Sequence, residues 1–407
     1  MSHCRPLSTH VNRLNAVDQS LVQRSRGQTT ESTLPRKRQC SQYKNGDDYD
    51  VILPTLGYAA VYCLLLRNEF ILLLSAGPLL SEIHTLGMMM IIWFCRYEII
   101  VSPGGPSDHP LNISPESSWS NYFKDNEVLL QIDKDVRRLC PDISFFQTAT
   151  EFPCPEIVNS NGVKRLHKRV EQSVLEFSNL ERRGLGVAKL SNDIRRSNSL
   201  SSGDYVPLNE GCEAHWEVVE RMLFLYAKLN PGQGYVQGMN EIIGPIYHTF
   251  AIDPDKEYRQ HAEADCFFCF TNLMAEIRDF FIRTLDETES GINYMMGKLG
   301  ERLQRTDPAV WALLEAQELR PQYYSFRWLT LLLSQEFSLP DVERIWDSLF
   351  ADTQRFDFLI HICCAMIILI RKNLLSGDFA SNVKLLQNFP PMDVSLILNK
   401  AVEISKR

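Results

Sequence analysis

The sequence predicts an all-α fold for residues 106–407. Apolar residues recur at helical spacing through most of this range, whereas the alternation typical of β-strands is scarce and no strand–helix–strand rhythm occurs. The composition, with 44% hydrophobic and 23% charged residues, is typical of a folded protein with a large core.

Two segments precede the helical region. Residues 1–50 are polar and lack a sustained apolar period, so we expect a disordered tail. Residues 51–105 contain apolar runs, but the longest uncharged run, residues 51–66, falls short of the roughly 18–20 residues that a membrane-spanning helix needs. Buried helices, a membrane hairpin and a poorly folding segment are all open interpretations of this second segment.

The clearest helical pattern covers residues 213–229 and is ended by the helix-stopping sequence of residues 230–232. Its apolar stripe consists of Trp216, Val219, Leu223, Tyr226 and Leu229. Further helices are predicted over residues 263–285, 309–319, 326–337, 340–350 and 356–375. Residues 178–207, in which Ser, Asn, Gly and Arg dominate, predict a long flexible loop between helices.

Charge and cysteine content argue against several classes of protein. A net charge of −8 provides no general basic footprint for binding nucleic acid. The eleven cysteines are scattered and odd in number, which indicates a reducing cytosol rather than a disulfide framework. Cys266 and Cys269 form a C-x-x-C without a second pair, so we interpret them as buried side chains on a helix rather than as zinc ligands.

The motifs of self-contained nucleotide-binding and hydrolytic enzymes are missing from the sequence. It has no phosphate-binding loop of the G-x-x-x-x-G-K-[ST] type, no G-x-S-x-G and no H-E-x-x-H. The glycines between residues 232 and 238 follow a helix and have the wrong spacing for a dinucleotide fingerprint. We therefore expect that the chain has no cofactor or metal of its own. We also expect that it supplies residues to a reaction that takes place on a partner.

Two short segments carry residues suited to that task. Asp135 and Arg138 are three residues apart, so on a helix the carboxylate can orient the guanidinium. Gly238 permits tight backbone geometry that can hold the Gln237 amide outward at the start of the next helix. An arginine meets phosphate oxygens at two points, and a glutamine amide can accept from a water while it donates to a phosphate.

These segments resemble the I-x-x-D-x-x-R and Y-x-Q-G motifs of the TBC-domain Rab GTPase-activating proteins. The residues in register are Ile132, Asp135 and Arg138 for the first motif, and Tyr235, Gln237 and Gly238 for the second. Residues 326–337 (FRWLTLLLSQEF) and 339–350 (LPDVERIWDSLF) are similar to later helices of the same domain, so the resemblance covers residues 106–407.

The resemblance implies two helical subdomains and a groove that receives a Rab-family GTPase in its GTP-bound state. Arg138 would be an arginine finger and Gln237 a glutamine finger, both supplied in trans, while the GTPase carries GTP and Mg²⁺. Asp135 would position Arg138, and Tyr235 and Gly238 would shape the loop that carries Gln237. It also implies a role in vesicle trafficking and a cytoplasmic location, with peripheral association with endomembranes as an option.

The sequence departs from the family's pattern before residue 106. TBC domains normally open with a helix that bears R-x-x-x-W, often preceded by G-I-P, and neither motif occurs there. An unusual isoform, an erroneous gene model and a membrane-attached variant are open explanations. The alternative function is therefore a catalytically weak helical adaptor that binds a small GTPase or a membrane partner.

Several neighbouring residues receive a structural interpretation. Arg137, beside the arginine finger, is expected to be solvated. The basic run of residues 164–169 is expected to form a solvated helix face, with contact to an acidic GTPase or to a lipid surface as the alternative. Trp216, Trp328 and Trp346 are expected to pack in the core.

Overall fold

Helices make up nearly all the regular structure of the described part of the chain. The computed structural model describes residues 117–158, 165–169, 208, 211–282, 285–286, 288 and 291–406, which all belong to one unit. Within these ranges no strand occurs, and the only β-type pairing is an isolated bridge between Ala149 and Ala214. The all-α prediction is confirmed. Residues 1–105 and the loop predicted over residues 178–207 lie outside the described residues.

The helices form two groups along the chain. The N-terminal group consists of α1 (Ser118–Val136), α2 (Pro155–Val158), α3 (His215–Leu229), α4 (Met239–Ala251), α5 (Lys256–Arg259) and α6 (Ala262–Ile277). The C-terminal group consists of α7 (Ile292–Thr306), α8 (Pro308–Ala316), α9 (Ser325–Thr330), α10 (Leu339–Ala351), α11 (Arg355–Leu369), α12 (Arg371–Ser376), α13 (Phe379–Gln387) and α14 (Val394–Ser405). Single 3₁₀ turns lie at Phe145–Gln147, Arg278–Phe281 and Pro321–Tyr323.

Local sequence sets several helix ends. The Ser117 hydroxyl caps α1 by accepting from the Trp119 N–H at 3.2 Å. Asp307 caps α8 through the Val310 N–H at 3.2 Å, and a proline follows it at the first helical position, where an N–H is not needed. At the end of α3 the Asn230 side chain donates to the Tyr226 carbonyl at 2.9 Å, so the predicted stop is confirmed.

Each group is built around one buried helix. Helix α3 is buried around its whole circumference from His215 to Ala227, with α1, α4 and α6 packed against it. Helix α11 has the same place in the C-terminal group, where α7, α10 and α14 cover it. Because α10 contacts α4 as well as α11, it joins the two groups. In the described ranges, no helix is both long enough and apolar enough to span a membrane.

Most of the predicted core residues are buried. Trp216, Trp328 and Trp346 pack in the core as predicted, and Cys266 and Cys269 are fully buried on α6. The stripe predicted for α3 is also buried, except for its last member, which is half exposed at the end of the helix.

The helix predicted over residues 326–337 is wrong in its second half. Helix α9 ends at Thr330, and Leu332 and Leu333 follow with φ of 50° and 67°. This left-handed backbone ends the helix although the residue types favour its continuation. The turn is stabilised from outside, because the Trp346 indole N–H donates to the Leu332 carbonyl at 2.8 Å.

Candidate functional site

Arg138 lies directly after the end of α1. Its N–H donates to the Asp135 carbonyl at 3.1 Å, which continues the helix as a tight last turn. The side-chain Nε donates to the Lys134 carbonyl at 3.0 Å, and Nη2 donates to Asp135 Oδ1 at 3.2 Å. These bonds hold two guanidinium nitrogens against the helix, while 67% of the side chain stays exposed. The remaining donors can therefore reach a partner.

Asp135 connects α1 to the loop before α4. Its carboxylate is buried, and its second oxygen, Oδ2, accepts from the Tyr235 hydroxyl at 2.8 Å. Burial and the negative charge of Asp135 raise the pKa of Tyr235, so this phenol stays protonated and remains a donor. The same hydroxyl oxygen lies 3.4 Å from Asn240 Oδ1 on α4. Through Tyr235, the residue that orients Arg138 is bonded to the segment that carries Gln237.

The Gln237 side chain is exposed, and the backbone around it is fixed by buried neighbours. Tyr235 and Gly238 are both buried, and α4 begins one residue later at Met239. Gly238 has φ of 105°, a left-handed conformation that residues with a side chain rarely adopt. A Cβ at this position would lie 2.7 Å from Leu331 Cδ2. Backbone conformation therefore favours glycine here, and any larger residue would also have to displace the Leu331 methyl group.

An open groove of about 1010 Å³ receives both side chains. Its lining includes Arg138, Gln237 and residues of both helix groups. The aromatic part of the lining consists of Phe280, Phe281, Phe326 and Phe337, and the carboxylates consist of Asp135, Asp142, Glu241 and Asp286. The structure thus brings all five sequence-predicted site residues together, with Asp135 and Tyr235 beneath the surface and Arg138 and Gln237 on it.

Glu241 is a groove residue that the sequence analysis missed. Burial raises the pKa of its carboxyl group, while hydrogen bonds from Gln335 and Asn240 oppose that increase. The Asn240 amide donates to Glu241 Oε1 at 2.9 Å. Its position four residues after Gln237 was visible in the sequence, but nothing in the pattern indicated that Gln335 lies opposite.

The prediction that Arg137 is solvated is wrong. Only 15% of its side chain is exposed, its Nε lies 2.8 Å from Asp133 Oδ1, and its guanidinium lies 4.7 Å from the centre of the Trp216 ring. The physical reason is that α3 covers the side of α1 on which Arg137 lies. Arg137 is therefore mostly covered, although the adjacent Arg138 is exposed.

The interpretation of residues 164–169 as a solvated basic face is also wrong for the residues described. Arg165 donates to both Glu217 carboxylate oxygens, at 2.9 and 2.8 Å, and His167 lies 3.1 Å from the same carboxylate. Arg169 is buried, with Nε donating to Asn126 at 2.6 Å. Of the described residues in this run only one, Lys168, is exposed, so Arg165, His167 and Arg169 make contacts within the fold rather than a solvated basic face.

The fold and the groove define an all-α domain that carries two exposed polar side chains on buried anchors. Residues 160–375 match the model of the RabGAP-TBC family, the Rab-GTPase-TBC domain. The chain belongs to this family. Gln237 lies inside the matched range, whereas Arg138 precedes it.

The chain is similar to several individual proteins. The chain is 60% identical to TBC1 domain family member 13 of Mus musculus over 298 residues, which are 73% of this chain and 74% of the mouse protein. The Homo sapiens protein of the same name gives the same identity and coverage. A TBC domain-containing protein of Schizosaccharomyces pombe is 36% identical over 363 residues, covering 74% of this chain and 58% of that protein. The crystal structure of the Ypt/Rab-GAP domain of Gyp1p has 19% identity and a TM-score of 0.44, over 79% of this chain and 99% of that one.

Proposed function

We propose that this chain accelerates GTP hydrolysis on a Rab-family GTPase in its GTP-bound state, with Arg138 and Gln237 as fingers supplied in trans. Family membership supports the Rab-GTPase partner. The observation that carries the two fingers is that both exposed side chains line one groove while their supports are hydrogen-bonded to each other.

The chemistry assigns a different task to each finger. GTP hydrolysis requires the charge that develops on the phosphates to be stabilised and a water to be held in line for attack. The planar guanidinium of Arg138 stabilises that charge at two oxygen atoms. The Gln237 amide orients the water in place of the GTPase's own glutamine. GTP and Mg²⁺ belong to the GTPase, so the proposed role needs no cofactor of the chain's own.

The test is phosphate release from a panel of GTP-loaded Rab proteins with the purified chain. On the responding Rab, Arg138→Ala should lose most of the roughly 10³–10⁵-fold stimulation typical of an arginine finger. Arg138→Lys should also lose most of it, because lysine keeps the charge but not the two-point geometry. Arg305→Ala is the matched control, since Arg305 is an exposed, ion-paired arginine on α7. Near-full activity of Arg138→Lys would contradict the finger assignment.

Gln237 has its own test. A Rab whose switch glutamine is replaced should still be stimulated by the wild-type chain and no longer by Gln237→Ala. If the altered Rab does not respond to a chain that stimulates the unaltered Rab, the glutamine finger is wrong.

A second candidate, the catalytically weak adaptor, is favoured by one sequence observation. The opening R-x-x-x-W motif is missing before residue 106. Binding of GTP-loaded Rab without stimulated hydrolysis, by a chain with both fingers intact, would support the adaptor over the activator.

A further inference from the structure

Arg137 and Leu139, the two neighbours of Arg138 in the chain, are anchored in the N-terminal helix group. Leu139 is fully buried and packs against Gly244 of α4, where a Cβ would lie 2.9 Å from Leu139 Cδ1. The Arg137 side chain contacts a different helix, since its guanidinium lies over the Trp216 ring of α3. The exposed Arg138 is therefore held between two anchored residues.

The contacts of Arg137 are of a kind that fixes a side chain in one geometry. Its Nε bonds to Asp133 one turn earlier on α1, at 2.8 Å, while its Cζ lies over the indole, 4.7 Å from the ring centre. The indole belongs to a buried residue, and the His167 ring meets it at 5.2 Å in an edge-on arrangement. Arg137 thus connects the last turn of α1 to α3 by an ion pair and a cation–π contact at once.

Backbone hydrogen bonds also join this point to the last turn of α1. The Arg137 N–H bonds to the Asp133 carbonyl at 3.3 Å, and the Leu139 N–H bonds to the Val136 carbonyl at 3.2 Å. Both are long bonds at a helix end, where fraying is common. The next residue, Cys140, has φ of 42°, so the chain leaves the helix direction immediately after Leu139. The side-chain contacts of Arg137 and Leu139 therefore add to these hydrogen bonds in fixing the Cα of Arg138.

We propose that Arg137 is a positioning residue for catalysis: it holds the end of α1 so that Arg138 enters the groove in one orientation. This role rests on the proposed function of Arg138 as the arginine finger. An arginine is required because lysine can pair with Asp133 but cannot also present a flat face to the indole.

A purely structural role is the competing explanation, and the chain offers a matched control for it. Arg169 makes a similar pair of contacts nearer the other end of α1, with a hydrogen bond from Nε to the neutral Asn126 amide in place of an ion pair and the guanidinium 4.1 Å from the Tyr122 ring centre. Arg137→Lys and Arg169→Lys therefore remove comparable contacts that involve α1. The first variant removes them beside Arg138, and the second removes them far from Arg138. Lysine is preferred to an apolar residue because Asp133 and the fully buried Glu220 face the positive charge of Arg137.

The experiment compares the wild-type chain with Arg137→Lys and Arg169→Lys. It measures the thermal stability of each, and kcat and KM on the Rab that responds in the panel. Arg137→Lys should lower kcat by about 10–100-fold with little change in KM, as expected when a reacting group is displaced by up to about 1 Å. Arg169→Lys should reduce the melting temperature by a similar amount while kcat stays near wild type. An equal loss of stability with unchanged kcat in both variants would overturn the proposal.

A binding measurement separates positioning from general damage. The affinity for Rab·GDP·aluminium fluoride, which imitates the transition state, should fall in Arg137→Lys by about the same factor as kcat, whereas affinity for Rab bound to a non-hydrolysable GTP analogue should stay the same. In an Arg138→Ala background, Arg137→Lys should cause no further loss of aluminium-fluoride affinity; a further loss of the same size would show that Arg137 does not act through Arg138. Full stimulation by Arg138→Ala alone would instead refute the proposed function and this role with it.

Discussion

Replacing Gly238 by alanine tests whether the Gln237 loop depends on its backbone conformation and on contact with Leu331. Placing a Cβ at φ of 105° costs about 1–2 kcal/mol, and moving the Leu331 methyl from 2.7 Å costs about 1–3 kcal/mol. The lower entropy of alanine in the unfolded chain offsets about 0.4–1 kcal/mol of this. The net loss in the free energy of unfolding should be about 1–5 kcal/mol.

The loss of activity should exceed what this destabilisation causes. Gln237 directly precedes Gly238, so a shift of the loop by up to about 1 Å displaces the amide and should reduce kcat by about 100-fold. Urea unfolding and stimulated phosphate release, both measured well below the melting temperature, report the two effects separately.

Gly234→Ala is the matched control for this variant. Gly234 is in the same loop with φ of 66°, but no atom lies within 4 Å of the Cβ that alanine would add. It should lose only about 1 kcal/mol, the backbone part of the cost, and keep most of its activity. Adding Leu331→Ala to Gly238→Ala should give a smaller total loss than the sum of the single variants, because the overlap is gone. If the two glycine variants lose stability and activity equally, contact with Leu331 does not shape the loop.

Three further predictions concern buried polar groups. Tyr235→Phe removes the hydroxyl that donates to Asp135 and should cost about 1.5–3 kcal/mol in unfolding free energy and reduce kcat; unchanged kcat would show that the Tyr235–Asp135 bond does not support the finger. Glu213→Gln leaves the buried Arg221 with one carboxylate fewer and should cost about 3–5 kcal/mol in chemical unfolding, without a specific change in KM. Burial, and after it the charge of a neighbouring histidine, lowers the pKa of His215 to about 4 from 6.5, so the unfolded chain binds more protons between these values. Stability should therefore fall by about 2 kcal/mol between about pH 7.5 and about pH 5, and His215→Gln should reduce that loss.

Helix positions were predictable where local pattern and tertiary packing agree. Residues 340–350 were predicted as a helix and α10 spans Leu339–Ala351, because its apolar period, a proline in the first turn and its buried face all favour the same structure. Residues 326–337 have an equally helical composition, yet only the first part is helical. The bond from Trp346 of α10 reaches Leu332 in the turn after α9, and no local pattern encodes it.

The candidate site shows the same limit. The motif residues could be located by their spacing, and Asp135, Arg138, Gln237 and Gly238 line one groove in the structure. Asp135 and Tyr235 were located in the same way, but their contact with each other was not, because it joins residues about a hundred positions apart. The contact of Arg137 with Trp216 was missed for the same reason. Sequence spacing identifies residues on one helix face but does not show which other helix covers that face.

The two proposed fingers, Arg138 and Gln237, are both exposed side chains, and the chain restricts each of them in a different way. A side chain that must reach a partner cannot be buried, so its own rotamer freedom, about 2 kcal/mol for an arginine, is restricted only by contacts at its base. For Arg138 these contacts are the Asp135 carboxylate and the anchored neighbours Arg137 and Leu139. For Gln237 the restriction comes from the next residue, Gly238, whose left-handed backbone favours glycine. Because Tyr235 bonds the first support to the second loop, displacement of either finger should alter the other, and losses of kcat from Gly238→Ala and Arg137→Lys should be less than multiplicative when combined.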